Sequence, residues 1–254
     1  MTTTKIATSS KTAITIRGKD LVDELIGTLT FTEMLYFQIL GVVPTSGQAA
    51  VVDACLVALM EHGLTPSAIA TRLVYGSAPE AMQGAVAAGL LGVGSRFVGT
   101  TEGCAALLER IVAVPVETRR ATCAAIIAEH AAAKQPLPGF GHDLHVPDDP
   151  RTPKLFAVAR SHGLAGDRIA ALELLGAVLD ETKRRHITIN ATGAVAALLG
   201  DAGVPAPILR GFAIIARCAG LVGHIHEEQR DPALLAMWQA AERAVPYEPE
   251  ETKP

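Results

Sequence analysis

A chain of 254 residues holds one large domain or two modest ones, and 49% apolar against 19% charged residues supplies a substantial core rather than disorder. A formal charge of −4 excludes an electrostatic case for nucleic acid or for an anionic membrane surface. Aromatic residues make up only 4%, so alanine, leucine and valine must do the packing, which suits closely approaching helices.

The first twenty residues, "MTTTKIATSSKTAITIRGKD", carry no apolar run of signal-peptide type, so no leader is expected. "TAITIRG" is the one strand-like segment. "AAVVDACLVALMEHG" spaces its apolar residues as a helix and stops at Gly63, a natural C-terminal cap. Thr65 and Pro66 then supply an N-cap and a first helical position. Ser77 and Glu80 have the spacing of a capping box, which predicts a further helix from that point. Another helix is expected to begin near Thr152, before "KLFAVARSHG". Ile169, Leu172, Leu175 and Leu179 form an apolar stripe on the next. "APILRGFAIIARCAGLVGHIHEEQR" reads as the last long helical stretch. Arg217 interrupts its apolar run, and the sequence predicts no membrane span, which takes about 20 mostly apolar residues. The tail "VPYEPEETKP" is rich in proline and charge and is expected to be disordered or to lie on a neighbour. The fold class is all-α. Cys55, Cys104, Cys123 and Cys218 include no C-x-x-C pair, so reduced thiols and a cytoplasmic location are expected.

Four polar islands interrupt the helices. In "PLPGFGHDLHVPDDPR", Gly139 and Gly141 permit close backbone approach to a ligand, and His142 follows them on a loop. An imidazole there can exchange a proton near neutral pH, and Arg151 offers a planar fork for a carboxylate. His62, in "LMEHGLTPSA", is either a functional group or a histidine favoured by the C-terminal end of a helix dipole. Asn190 and Thr192, in "HITINATGAVAALL", precede an apolar helix that either one caps. Arg217 lies within an apolar helical pattern and needs an acidic partner or an anionic ligand. Beyond it, His224 and Glu228 share a helix face whereas His226 does not, a poor donor set for a metal; no metal site is expected.

In this order the islands resemble the citrate synthase superfamily, most nearly its short members, the citryl-CoA lyases and the citryl-CoA lyase module of ATP-citrate lyase. "GFGHDLHVPDDPR" is similar to the family's histidine loop, G-x-G-H followed by D-P-R. "GTLTFTEMLYFQILGVVPT", "MEHG", "GLLGVGSRFVGTTEG", "INATGAVAALL" and "ARCAGLVGHIHEEQR" resemble further family elements, over roughly residues 25 to 232. The resemblance implies a large helical domain (20–102 and 190–245), a smaller one (103–189) with the active site in the cleft between them, and a tail at 246–254. It implies a homodimer that binds a CoA thioester as substrate together with a di- or tricarboxylate, with no permanently bound cofactor and with a partner ligase or transferase as a further expectation. His142 would exchange a proton with the substrate's carbonyl or carbinol oxygen, while His62, Arg151 and Arg217 would hold its oxygens and carboxylates. Asn190 and Phe97 would line the substrate, Phe97 standing where full citrate synthases carry a thioester-binding histidine and the lyase-type members carry Phe. Gly139, Phe140 and Gly141 would lie beside CoA. The family's catalytic aspartate falls on Thr192, and Glu102 and Asp143 are the carboxylates that would replace it. The leading expectation is therefore carbon–carbon cleavage of a citryl-CoA-type thioester. Condensation of an acyl-CoA with a 2-oxo acid, and non-catalytic binding of such ligands, are the alternatives.

Overall fold

The computed structural model describes residues 2–94 and 99–249. It divides the chain into two compact units, Met1–Ala58 with Gly99–Arg210 and Leu59–Val98 with Gly211–Pro254. The segment after 189 stays in the first unit because its helix is the centre of that unit's packing.

The first unit opens with a small antiparallel sheet, β1 (Ala7–Ser9), β2 (Ile14–Ile16) and β3 (Lys19–Asp20), so the strand read in "TAITIRG" is the middle one of three. A single π-helical turn, Leu21–Leu25, leads to α1 (Phe31–Leu40). There Thr30 and Glu33 close a capping box, and Gly41 ends the helix in the left-handed conformation at φ 79°. Next, α2 (Ser46–Met60) carries the chain into the second unit. It stops three residues before Gly63.

The remaining helices of the first unit are α5 (Thr100–Val112), α6 (Val116–Ala132), α7 (Arg151–Ser161), α8 (Asp167–Lys183) and α9 (Ala191–Asp201). α9 packs against α5, α7 and α8, and every residue from Ala191 to Gly200 is buried except Thr192. Its alanines and glycines let neighbours come close: a Cβ on Gly200 would lie 2.4 Å from the Arg168 side chain. Asp201 then receives the backbone N–H groups of Gly166, Arg168 and Ile169 at 3.0–3.1 Å, which ties the end of α9 to the start of α8. The stripe Ile169, Leu172, Leu175 and Leu179 is buried as expected, each side chain contributing about 1.5–3 kcal/mol. Cys55, Cys104 and Cys123 are buried free thiols, and burial pushes Cys104 up to about 12.

The second unit contains α3 (Pro66–Ser77), α4 (Met82–Leu91), most of α10 (Leu209–Arg230) and α11 (Leu234–Ala244). Gly89 of α4 touches both α3 and α10, since a Cβ there would meet Thr71 Oγ1 at 2.0 Å and Leu221 at 2.7 Å. Three sequence expectations change here. Ser77 and Glu80 form no capping box: Ser77 is the last residue of α3, its hydroxyl donates to the Leu73 carbonyl at 2.9 Å, and α4 starts only after Ala81. Pro79 accounts for the delay, because it forces Ala78 out of helical backbone angles (φ −141°, ψ 70°). A further helix, α11, follows the stretch read as the last. Finally, Ala206–Arg230 has the length and mean hydropathy, 1.5, of a membrane-crossing helix, where the sequence reading expected no such segment. Phe212, Ala216, Leu221 and Ile225 of this helix are nevertheless buried in the folded chain. Residues 245–249 of the tail lie beyond α11 and are exposed.

Candidate active site

The loop between α6 and α7 is held against the start of α9 first by backbone pairing. Gly141 N–H donates to the Thr188 carbonyl at 2.8 Å, Asn190 N–H donates to the Gly139 carbonyl at 3.1 Å, and Phe140 pairs with Ile189 in an antiparallel bridge. This pairing needs two glycines. Gly139 has φ 89°, and a Cβ on Gly193 would sit 2.5 Å from the Gly139 oxygen. Gly193→Ala should therefore cost about 1–3 kcal/mol by overpacking and displace the loop. A melting curve and a turnover assay on one preparation check this, with activity expected to fall further than stability.

His142 follows directly, half-buried. Its Nδ1 accepts the backbone N–H groups of Leu144 and His145, both at 3.0 Å. The neutral ring therefore carries its hydrogen on Nε2. Burial, then the neighbouring His145, lowers the pKa of His142, with Arg151 adding to the effect; Asp149 and Asp143 oppose it. The ring thus stays neutral at physiological pH, as an Nε2–H donor.

Asp149 locks the far end of the loop. Its Oδ1 accepts Arg151 Nε at 2.9 Å and the Arg151 backbone N–H at 3.1 Å; its Oδ2 accepts Arg151 Nη2 at 2.8 Å and Ala191 N–H at 2.9 Å. Burial alone would raise this carboxyl, but the hydrogen bonds from Arg151 and Ala191 overcome it and hold the pKa at about 2. One edge of the Arg151 fork is committed to Asp149. A second clip uses His186, whose Nδ1 lies 2.7 Å from Asp180 and Nε2 2.9 Å from Asp148; hydrogen bonds to these two carboxylates raise its pKa.

At the start of α9, Asn190 Oδ1 accepts from Gly193 N–H at 3.0 Å and from Thr192 Oγ1 at 2.7 Å. Its amide donates to the Gly141 carbonyl at 2.9 Å. Thr100 Oγ1 donates to Thr192 Oγ1 at 3.0 Å. A hydrogen-bonded row thus runs from α5 through Thr192 and Asn190 to the residue before His142. Asn190, not Thr192, is the N-cap of α9, and it joins the cap to the loop.

In the second unit, His62 and Arg217 both neighbour Glu61. Glu61 Oε1 accepts the backbone N–H groups of His62 and Gly63 at 2.8 and 2.6 Å, and its Oε2 lies 3.9 Å from Arg217 Nη1.

A family model described as citrate synthase, C-terminal domain, matches residues 2–236. The chain belongs to the citrate synthase family. The citryl-CoA lyase of Hydrogenobacter thermophilus is similar over 100% of this chain and 97% of its own, at 30% identity and a TM-score of 0.87. ATP citrate lyase of Methanosaeta concilii, a mutant solved in complex with (3S)-citryl-CoA, shares the fold at a TM-score of 0.79 and 18% identity, over 99% of this chain and 42% of its own. Among curated relatives, the Mycobacterium tuberculosis protein named "Putative citrate synthase 2" is 28% identical over 183 residues, 70% of this chain. The chain spans about half, 47%, of that relative's length. The all-helical architecture is therefore a citrate synthase-like fold.

Against this family background, the first unit brings together Gly139, Phe140, Gly141, His142, Arg151, Asn190 and Thr192. Phe97 lies outside the described residues. Of the two carboxylates expected to stand in for the family's aspartate, Glu102 pairs with Arg210 at 2.5 Å, and Asp143 is exposed on the histidine loop. The Nε2–H tautomer suits a donor to oxygen; to act as a base for a carbinol proton, His142 would first have to give up that hydrogen. Sequence reasoning passed over Asp149, Thr100 and Arg72. The last was detectable, since "AIATRLVYG" sets an arginine in an apolar helix just as Arg217 is set.

Proposed function

We propose that this citrate synthase-family chain is an enzyme that cleaves a citryl-CoA-type thioester into acetyl-CoA and oxaloacetate. The geometry of His142 carries the reading: two backbone donors occupy Nδ1, so Nε2–H is the atom that would donate to the substrate oxygen. In the cleavage the carbinol O–H proton passes to solvent water, which returns one to the product enolate, and the carbinol carbon becomes the ketone of oxaloacetate. The electron pair of the broken carbon–carbon bond passes to the thioester α-carbon, and that enolate takes up a proton to give acetyl-CoA. A fixed donor at the oxygen where charge develops lowers the barrier in either direction. Arg151, oriented by Asp149, would meet a substrate carboxylate with its remaining Nη1 edge. In the second unit, Arg217 and His62 are the groups that would bind a carboxylate or oxygen of such a ligand.

The likeness to citryl-CoA lyase over the length of both chains supports cleavage. Thr192 does not separate cleavage from condensation: its hydroxyl, which already donates to Asn190, is no base for an acetyl methyl proton, and the same proton transfer runs in reverse in cleavage. Condensation followed by thioester hydrolysis, the synthase-type reading, has the curated relatives in its favour. That reaction liberates the CoA thiol. A thiol-reactive chromophore added with acetyl-CoA and oxaloacetate should report little release; fast, stoichiometric release would make the synthase the better reading.

CoA would enter beside the loop. A cavity of about 180 Å³ there is lined by Leu137 and Phe140 of the loop, Ile127 and His130 of α6, and Lys183 of α8. Its mainly apolar lining with one lysine suits part of such a thioester, the cavity being smaller than the roughly 300–1,000 Å³ of a whole-ligand site. Lys183→Ala should raise KM for the thioester about tenfold, the worth of one charge-assisted hydrogen bond, with kcat little changed. Steady-state kinetics over a range of thioester concentrations tests it.

A further inference from the structure

A row of charged side chains inside the second unit has no part in the loop described above. Arg72 of α3 is 4% exposed and Glu228 of α10 is 3% exposed, so each needs a partner to offset its desolvation. Arg72 Nη1 donates to Glu228 Oε2 at 2.9 Å, and Arg72 also pairs with Glu227. Arg72 Nε donates to His224 Nδ1 at 3.0 Å, which places the hydrogen of a neutral His224 on Nε2. That nitrogen lies 3.1 Å from Glu61 Oε2. At the other end, Glu228 Oε1 receives the N–H groups of Ala233 and Leu234 at 2.7 and 2.9 Å and so anchors the start of α11. The row runs Glu228, Arg72, His224, Glu61, and finishes on the segment that carries His62.

We propose that Glu61 is a positioning residue for the reaction proposed above, held in place by the buried Arg72–Glu228 pair acting through His224. The inference rests on that reading, since it takes His62 and Arg217 as ligand-binding groups. Glu61 acts on both. Its Oε1 fixes the backbone of His62 and Gly63 where α2 has ended, and Gly63 turns the chain there at φ 74°. Its Oε2 faces Arg217 at 3.9 Å, well beyond the roughly 2.7–2.9 Å of a strong arginine–carboxylate bond. Glu61 thus stands beside Arg217 at long ion-pair range while it fixes the His62 backbone. Gly220 keeps α10 in place for this, because a Cβ there would meet the Met60 carbonyl at 2.2 Å. Burial opposes ionisation of Glu61, but the adjacent His224 and the N–H groups of His62 and Gly63 lower its pKa, so it is a carboxylate at neutral pH.

The test compares wild type with Glu61→Gln, Glu61→Ala and His224→Ala in citryl-CoA cleavage, citrate binding by calorimetry and thermal melting. The Glu61→Gln variant keeps an acceptor for the two N–H groups and loses the charge. Its KM is expected to rise about tenfold and its citrate affinity to fall by a similar factor, with kcat within about threefold of wild type. Glu61→Ala should exceed Glu61→Gln in the same direction, and His224→Ala should resemble Glu61→Gln. If wild type cleaves citryl-CoA and the Glu61 variants keep its KM and citrate affinity, the proposal is overturned while the reaction stands. A lowered melting temperature with unchanged KM also overturns it, leaving Glu61 as a cap on α2 alone. If wild type binds citrate without turnover, the calorimetry on the variants decides. A wild type that neither binds citrate nor cleaves citryl-CoA removes the proposed reaction and this inference together.

Discussion

Replacing His142 by alanine is expected to reduce kcat for citryl-CoA cleavage by about a thousandfold or more, the worth of a general acid or oxyanion donor at the reacting oxygen. One nitrogen decides the outcome. Nδ1 is occupied by the Leu144 and His145 N–H groups, so the ring can act on substrate only through Nε2. His142→Asn is the informative companion. Its Oδ1 can accept the same two N–H groups, as asparagine does in turns, and so keeps the loop while removing Nε2. Both variants should melt like wild type and bind citryl-CoA within a few-fold of it. If His142→Asn retains turnover, the loop's shape matters and the imidazole does not.

The largest loss of stability is expected from Asp149→Asn, at roughly 3 kcal/mol, because one member of a buried ion pair is neutralised while donors remain aimed at it. Two of its four hydrogen bonds come from the Arg151 side chain and one from the first residue of α9, so a neutral amide would turn an N–H toward one of these donors. For a chain of this size the melting temperature should fall by about 6–12 °C. A linked effect of pH follows. The folded pKa is about 2, below the unfolded value near 3.8, so the stabilisation is complete above about pH 4. It is lost as pH falls from about 4 to 2 and amounts to roughly 2–3 kcal/mol. Chemical denaturation across that range should show the decline in wild type, and Asp149→Asn should lack that component of it. Parallel acid profiles for the two proteins would contradict the assigned role of Asp149.

Features that depend on neighbours in sequence were legible. The stripe Ile169–Leu179, the helix start at Pro66, the glycines around Phe140 and the buried Arg217 all follow from periodicity, backbone freedom or the cost of burying charge. What escaped depends on distant partners. Asp149 reads as one of two acids in a turn, and only the folded chain brings it to Ala191, 42 residues away. Thr100 carries no signal of its own until α5 sets it against Thr192. Ser77 and Glu80 show the converse error, a correct local spacing that Pro79 overrides. The identity of Thr192 was visible from the start, but its hydrogen-bonding state was not, and that state argues against its use as a base.

Cleavage of synthetic citryl-CoA by the purified protein, with oxaloacetate release followed by coupled NADH oxidation, tests the central claim most directly. The account predicts steady oxaloacetate release that matches acetyl-CoA formed and disappears in His142→Asn. Citryl-CoA that binds and is returned intact, with no oxaloacetate released, would contradict it.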